Sequence, residues 1–264
     1  MNEKRYDDIL LISDLDGTII PRYEIISEEN LRAINEFTAR GGAFAPATGR
    51  SPGSALPYLE GITVNAPAIF FNGAMLKDLK EDKVLEMRML DGDIWRDFAA
   101  RVLYQFPRAC VEVYTTEDCI VISPEENDDP RLDGEFYNVK HATLRDVEEE
   151  TWLKFFINDA PVNLTFVERL AKELGIDQIS TSFYSEVNYL EYVAPHTSKG
   201  DMAEVLRAMP AYAGRCVVAC GDYGNDAALL RMADIGIAPM PPMRQNPLPT
   251  VSASRAAKTS SHGY

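Results

Sequence analysis

Asp14-Leu15-Asp16-Gly17-Thr18, placed directly behind the apolar run Ile9-Leu10-Leu11-Ile12, decides the fold of this chain. A short unbroken apolar run that stops at a turn signal reads as a strand buried on both faces. Two carboxylates two residues apart then stand where that strand ends, and open α/β sheets bind their ligands at the carboxyl ends of strands. Gly17 lets the backbone turn sharply and come close to a ligand. Neighbouring carboxylates repel one another unless a cation or a chemical task accounts for them. The turn therefore points to a metal-assisted site with a carboxylate nucleophile.

The same grammar repeats outward from this turn. Ser27 is a good N-cap for a helix with Leu31, Ile34 and Phe37 on one face, and Gly41-Gly42 ends it. A strand over Ala43–Ala47, with Pro46 marking its end, runs into Thr48-Gly49-Arg50. A third apolar run, Ala68-Ile69-Phe70-Phe71, stops at Asn72-Gly73. This order predicts an α/β fold, a Rossmann-like doubly wound parallel sheet with its polar turns along one edge.

From Leu79 to Asn188 the character changes. Val111–Tyr114 and Cys119–Ile122 read as a hairpin around Thr116-Glu117-Asp118. Trp152–Ile157 reads as a strand, Val162–Leu174 as a helix, and Gln178–Thr181 and Tyr189–Val193 as further strands. This is an α+β block inserted into the α/β one. The acidic stretches Glu125–Asp129 and Asp146–Glu150 read as solvated loops, and Trp95 and Trp152 as packing residues. The βα alternation resumes with a helix from Lys199 to Met209, a strand over Arg215–Cys220 and the turn Gly221-Asp222-Tyr223-Gly224-Asn225-Asp226. A helix carrying Leu229, Leu230 and Met232 and a last strand, Ile235-Gly236-Ile237, follow. The expected division is a discontinuous core, residues 1–80 and 190–264, around an inserted cap domain, residues 81–189.

Composition narrows the partners. With 264 residues, 46% of them hydrophobic, the chain can bury one large core or two modest ones. A formal net charge of -15 with no basic cluster argues against nucleic acid. The N-terminus lacks a signal peptide's long apolar stretch and no segment approaches a membrane span, so the expectation is a cytoplasmic protein, monomer or weak homodimer. Cys110, Cys119, Cys216 and Cys220 form no Cys-x-x-Cys pair; Cys216 and Cys220 read as small buried hydrophobes.

Phosphoryl transfer needs a nucleophile, an acid/base, donors for the equatorial oxygens and positive charge against the developing negative charge. The strand ends supply each. Asp14 attacks phosphorus; Asp16 protonates the leaving oxygen and then activates water; Thr48 donates its hydroxyl to a phosphoryl oxygen. Lys199 neutralises charge beside Asp14, and Asp222 and Asp226 hold Mg²⁺, a hard cation that prefers oxygen. Gly17, Gly49 and Gly73 let the backbone of their turns approach a phosphate, and Arg50 either reaches that phosphate or braces its loop. His196, close before Lys199, reads as a loop histidine.

Asp14-Leu15-Asp16-Gly17-Thr18, Ala47-Thr48-Gly49-Arg50, Phe71-Asn72-Gly73-Ala74, Ser198-Lys199-Gly200 and Gly221–Asp226, in this order, resemble the haloacid dehalogenase superfamily, and within it the Cof-type phosphatases. The resemblance covers residues from about 7 to 238. It implies a Rossmann-like core with an inserted α/β cap, and Mg²⁺-dependent hydrolysis of phosphomonoesters such as sugar phosphates or phosphorylated cofactors through an aspartyl-phosphate. It also implies that the backbone carbonyl of Asp16 is a metal ligand, that Asn225 supports the phosphate site and that Asn72 lies near substrate. A phosphomutase of the same superfamily, a receiver-like signalling domain and a catalytically idle phosphate-binding homologue are the rivals. Receiver modules are much shorter, and the intact Asp14, Asp16, Lys199 and Asp222 argue for activity.

After Ile237 the family pattern stops. Pro239, Pro241, Pro242, Pro247 and Pro249 preclude a regular helix, and no acidic residue occurs from Met240 onward. Encoded as CCA ATG CCG CCG ATG, Pro239–Met243 reads Asn-Ala-Ala-Asp one base back, close to the turn and helix start of the family. A reading-frame change and a lineage-specific tail both fit this break, and the residues after 243 are expected to be poorly ordered.

Overall fold

The computed structural model describes residues 5–21, 25–90, 92–134, 139–147 and 149–238. The expectation for the stretch after 243 lies outside these residues.

The first strand, β1 (Ile9–Ser13), is central to a parallel sheet because its side chains are apolar on both faces. Helix α1 (Glu28–Ala39) starts where Ser27 accepts the Asn30 N–H, at 3.2 Å. Its deepest residues are Ile34 and Thr38 rather than the full Leu31–Ile34–Phe37 stripe; Thr38 turns its hydroxyl back onto the Ile34 carbonyl, which makes it buriable. β2 (Ala43–Pro46) ends at its proline, the short α2 (Pro52–Ala55) follows, and β3 (Ala68–Phe70) joins the edge of β2 through a parallel Ala47–Ile69 bridge.

β3 then turns into an antiparallel hairpin, β4 (Met75–Asp78) and β5 (Lys83–Met87). The region past Leu79 thus begins as an extension of β3. Helix α3 (Ile94–Gln105) leads into β6 (Cys110–Tyr114) and β7 (Cys119–Val121), the expected hairpin. α4 (Arg131–Gly134), β8 (Val139–His141), β9 (Lys154–Asn158), α5 (Pro161–Glu173), β10 (Thr181–Glu186) and β11 (Tyr189–Val193) complete this part. Residues 176–178 form a single 3-10 turn, so the strand expected over Gln178–Thr181 instead begins at Thr181. The strands assemble in the order β10-β11-β9-β6-β7-β8, antiparallel apart from β7–β8. β11 pairs with β9, so this sheet runs past a division at 189/190.

Helix α6 (Lys199–Ala208), β12 (Cys216–Cys220), α7 (Ala227–Met232) and β13 (Ile235–Ile237) return the chain to the parallel sheet, ordered β13-β12-β1-β2. Leu10 and Ile12 of β1 pack with Ala43, Ala45, Met202, Leu206, Val217 and Leu229 in one core. The six-stranded sheet has two working faces. Val111, Val113, Phe155 and Ile157 face α3 and α5 together with Trp95 and Trp152, both buried as expected. Cys110, Tyr114, Phe156 and Val193 face Leu15, Phe70 and Phe71 of the parallel part. This alternation is the period of two of a strand read on both sides.

Two polar expectations change. Asp129, in a stretch read as solvated, is 3% exposed; it accepts the Arg131 N–H at 2.9 Å and the Asn158 amide at 2.5 Å, which replaces its water. Cys216 and Cys220 are half-buried, while Cys110 and Cys119 are buried; all four are free thiols. Among the described residues, no helix is long and apolar enough to cross a membrane.

Candidate active site

β1, β2 and β12 are parallel neighbours, so their carboxyl ends bring Asp14, Thr48 and Asp222 to one edge of the sheet. The register sets Ser13 against Cys220 on one side and Pro46 on the other. The Asp14 N–H donates to Cys220 C=O at 2.9 Å, and the Ala47 N–H to Ser13 C=O at 2.8 Å, which carries the pairing up to the polar turns.

Asp14 lies at the bottom of the site, with its side chain 6% exposed. Lys199 Nζ donates to Asp14 Oδ1 at 2.5 Å and to Asp226 Oδ1 at 2.6 Å, and the lysine side chain is 1% exposed. Ser198 caps α6 by accepting the Asp201 N–H at 3.1 Å, which fixes where Lys199 leaves the helix. Asp226 is held by its other oxygen: Oδ2 accepts the Asp222 N–H at 3.0 Å and the Tyr223 N–H at 3.1 Å. Thr18 Oγ1 stands 3.1 Å from Asp14 Oδ2 and 3.3 Å from Asp222 Oδ1.

Burial governs the charges. It pushes the Asp14 carboxyl up to about 7; Lys199 pulls against that rise, while Asp226 and Asp16 add to it. Burial alone would lower the Lys199 ammonium, but the Asp14 and Asp226 carboxylates outweigh it and hold Lys199 above the ordinary lysine range.

Asp14, Asp222 and Asp226 each offer an oxygen, and these oxygens lie within 4.8 Å of one another. Three hard oxygen donors around a buried carboxylate fit a small hard divalent cation. The side chain of Asp16 is not in that group. Its two oxygens receive a fork from Arg50, Nε to Oδ2 at 2.8 Å and Nη2 to Oδ1 at 2.7 Å. Arg50 also donates to Ser54 Oγ at 3.1 Å and lies 4.3 Å from the centre of the Tyr58 ring.

Thr48 is fully buried, and its hydroxyl oxygen accepts the Arg50 N–H at 3.1 Å. Gly17 has a φ of +81°, and a Cβ there would lie 2.3 Å from Asp222 Oδ2. Gly73 has a φ of +105° and would put a Cβ 2.1 Å from the Ser198 carbonyl oxygen. Gly49 passes close under Asn72, whose Nδ2 would be 2.9 Å from a Cβ at that position. Asn72 accepts from Asn225 Nδ2 at 3.1 Å. His196 is exposed with φ +53°, and its carbonyl accepts from Arg88.

Two residues reach this site without a sequence expectation. Lys154 Nζ donates to the Gly49 carbonyl at 3.2 Å, and Glu191 Oε2 accepts from Asn72 Nδ2 at 3.0 Å. Their signal was a single charge in an otherwise apolar or aromatic strand, Lys154-Phe155-Phe156-Ile157 and Tyr189-Leu190-Glu191-Tyr192-Val193.

Known proteins resemble this chain in sequence and in fold. YcsE of Bacillus subtilis, a 5-amino-6-(5-phospho-D-ribitylamino)uracil phosphatase, is 26% identical over 247 residues, covering 90% of this chain and 87% of its own. A haloacid dehalogenase-like hydrolase structure from B. subtilis superposes with a TM-score of 0.74 at 19% identity, covering 87% of this chain and 88% of that one. The subclass IIB sugar phosphatase BT4131 gives a TM-score of 0.71 at 18% identity, covering 87% of this chain and 86% of its own. These two structures share the fold, a parallel-sheet part with an added sheet. The sequence pattern of the haloacid dehalogenase-like hydrolases matches residues 11–240, and the chain belongs to that family.

Proposed function

We propose that this protein is a Mg²⁺-dependent phosphatase that hydrolyses small phosphomonoesters through an aspartyl-phosphate on Asp14. The observation that carries the reading is the buried Asp14 carboxylate, gripped by Lys199 and facing Asp222 and Asp226 at the carboxyl edge of the parallel sheet. Membership of a hydrolase family and likeness to a curated phosphatase support it.

Asp14, Asp222 and Asp226, together with the backbone carbonyl of Asp16, would hold Mg²⁺. A bound divalent cation supplies charge neutralisation for the incoming phosphate and lowers the charge repulsion that an anionic nucleophile meets. An Asp14 oxygen attacks phosphorus, and the bond from phosphorus to the ester oxygen breaks. As Arg50 turns from Asp16 to the incoming phosphate, Asp16 takes up a proton from solvent and gives it to that leaving oxygen, then takes one from the water that attacks the aspartyl-phosphate and frees inorganic phosphate. Lys199 holds Asp14 in line. Thr48, Asn225 and the backbone at Gly17, Gly49 and Gly73 line the phosphoryl oxygens, and Asn72 braces Asn225. Arg50 positions Asp16 and stands ready for the phosphate dianion.

The inserted part, from α3 through β11, acts as a cap whose sheet seats over the parallel edge and selects the leaving group. The substrate class is that of sugar phosphates or phosphorylated cofactors and their precursors. The protein works as a soluble cytoplasmic enzyme, monomeric or weakly dimeric, without nucleic acid or membrane partners.

Phosphate release from a panel of phosphorylated metabolites, with and without Mg²⁺ and with Asp14→Asn in parallel, tests the reading. Release that requires Mg²⁺ and falls at least about a thousandfold in the variant is expected. Equal release by Asp14→Asn would overturn it.

A further inference from the structure

Glu191 and Lys154 form an ion pair at 3.1 Å in which each side chain is 4% exposed. Replacing such a pair by apolar residues is often neutral or stabilising, so fold stability alone does not account for it. The pair stands on the face of the six-stranded sheet turned to the parallel part, and both members hold loops of the candidate site. Lys154 grips the Gly49 carbonyl, 3.2 Å away, and its ammonium lies 4.1 Å from the centre of the Tyr114 ring. Glu191 grips Asn72.

Asn72 is strained. It has φ +55° directly after Phe71 at φ +50°, and neither is glycine. Left-handed backbone disfavours a bulky side chain such as phenylalanine and persists where its surroundings over-determine it. The surroundings here are the Phe71 N–H on Arg50 C=O at 3.1 Å, the Asn72 N–H on Thr48 C=O at 3.0 Å, and the side-chain amide between Glu191 and Asn225.

That amide has a direction. A carboxylate paired with an ammonium only accepts, so it turns Asn72 Nδ2 toward the sheet and leaves Oδ1 facing the site. Oδ1 in turn accepts only a donor, which orients the Asn225 amide with Nδ2 toward it, at 3.1 Å. Asn225 directly precedes Asp226, the carboxylate that grips Lys199.

We propose that Glu191 is a positioning residue: through Asn72 it fixes the orientation of the Asn225 amide at the phosphate end of the site, and Lys154 holds Glu191 in place while tying the same sheet to Gly49. The proposal rests on the phosphatase reading above. It makes the seated six-stranded sheet part of the phosphate site rather than only a cover for it.

Glu191→Gln is nearly isosteric but presents a donor as well as an acceptor, so the Asn72 amide loses its single orientation. We expect E191Q to lower kcat/KM about tenfold and to weaken inorganic phosphate binding, measured by calorimetry, by a similar factor. In an Asn225→Ala background the same substitution is expected to have less than about a twofold effect, because its route to the site is already cut. A residue that only supports the fold gives the same loss in both backgrounds; that result, or full phosphate affinity in E191Q, overturns the proposal. Should E191Q not fold, Glu191→Asp, whose carboxylate stands a methylene short of the 3.0 Å contact with Asn72, enters the same cycle; a loss of phosphate affinity that disappears in the Asn225→Ala background supports the proposal, and an equal loss in both backgrounds or none in either overturns it. The underlying reading fails separately. A wild-type chain that binds phosphate but cleaves no ester overturns the phosphatase reading, and the cycle is then judged on phosphate binding. A wild-type chain that binds no phosphate overturns both.

Discussion

Lys199 meets Asp14 across 185 positions of sequence, Nζ to Oδ1 at 2.5 Å. The ammonium is shared with Asp226, and all three groups are out of water. Removing one partner of a buried ionic group leaves the others uncompensated, which costs about 3–5 kcal/mol. Lys199→Met is therefore expected to lower metal-free stability by about 3 kcal/mol, with bound Mg²⁺ recovering part of the loss. Urea unfolding with and without Mg²⁺ measures both; a midpoint equal to wild type without metal contradicts the prediction.

Proton and cation compete for Asp14. Its carboxyl is raised to about 7 in the metal-free chain, chiefly by burial. Below that pH the proton is held and must leave before a cation binds; above it the site is ready. Mg²⁺ affinity is thus expected to rise about tenfold from pH 6 to pH 8 and then level off. By the same sign, the Asp14 contribution to metal-free stability is present at low pH and is lost as pH rises through about 7. Calorimetric titration at the two pH values checks the affinity, and a flat result would sink the idea.

Gly17→Ala brings a Cβ to within 2.3 Å of Asp222 Oδ2 at a backbone φ of +81°. The side-chain end of Asp222 can yield where backbone could not, so displacement of a ligand, rather than unfolding, is the expected result. Mg²⁺ binding should weaken at least about tenfold, with a stability loss of about 1–2 kcal/mol from the left-handed conformation. Unchanged Mg²⁺ affinity argues against Asp222 as a ligand.

Arg50 holds Asp16 through a two-pronged fork. Lysine keeps the charge but not the fork. Arg50→Lys and Arg50→Met are both expected to lose kcat/KM by about a hundredfold, with lysine restoring little of it. Steady-state kinetics on the best ester decides; full activity in Arg50→Lys shows that charge alone suffices.

Much of this was legible in the chain because local chemistry and fold agreed. The apolar run before Asp14 was legible as a buried strand because an unbroken apolar run needs cover on both faces, and Ser27 as a helix start because its hydroxyl accepts an N–H only three residues on. The hairpin β4–β5 was missed because its strands are short and mixed in polarity, with β5 largely exposed and no alternating pattern to read. The burial of Asp129 was missed because a short acidic stretch gives no sign of the Asn158 and Arg131 donors that meet it.

The sequence by itself determined the strand-and-turn order, the chemical types at each strand end and the family, because motif spacing and apolar period are local properties. Only the tertiary structure decided the rest of the charge sharing: that Lys199, expected beside Asp14, also takes Asp226, that Arg50 takes Asp16, and that Glu191 and Lys154 pair and reach Asn72 and the Gly49 carbonyl. Those pairings join residues tens to hundreds of positions apart. They are fixed by strand register and by how one sheet seats on the other, and no local pattern encodes either.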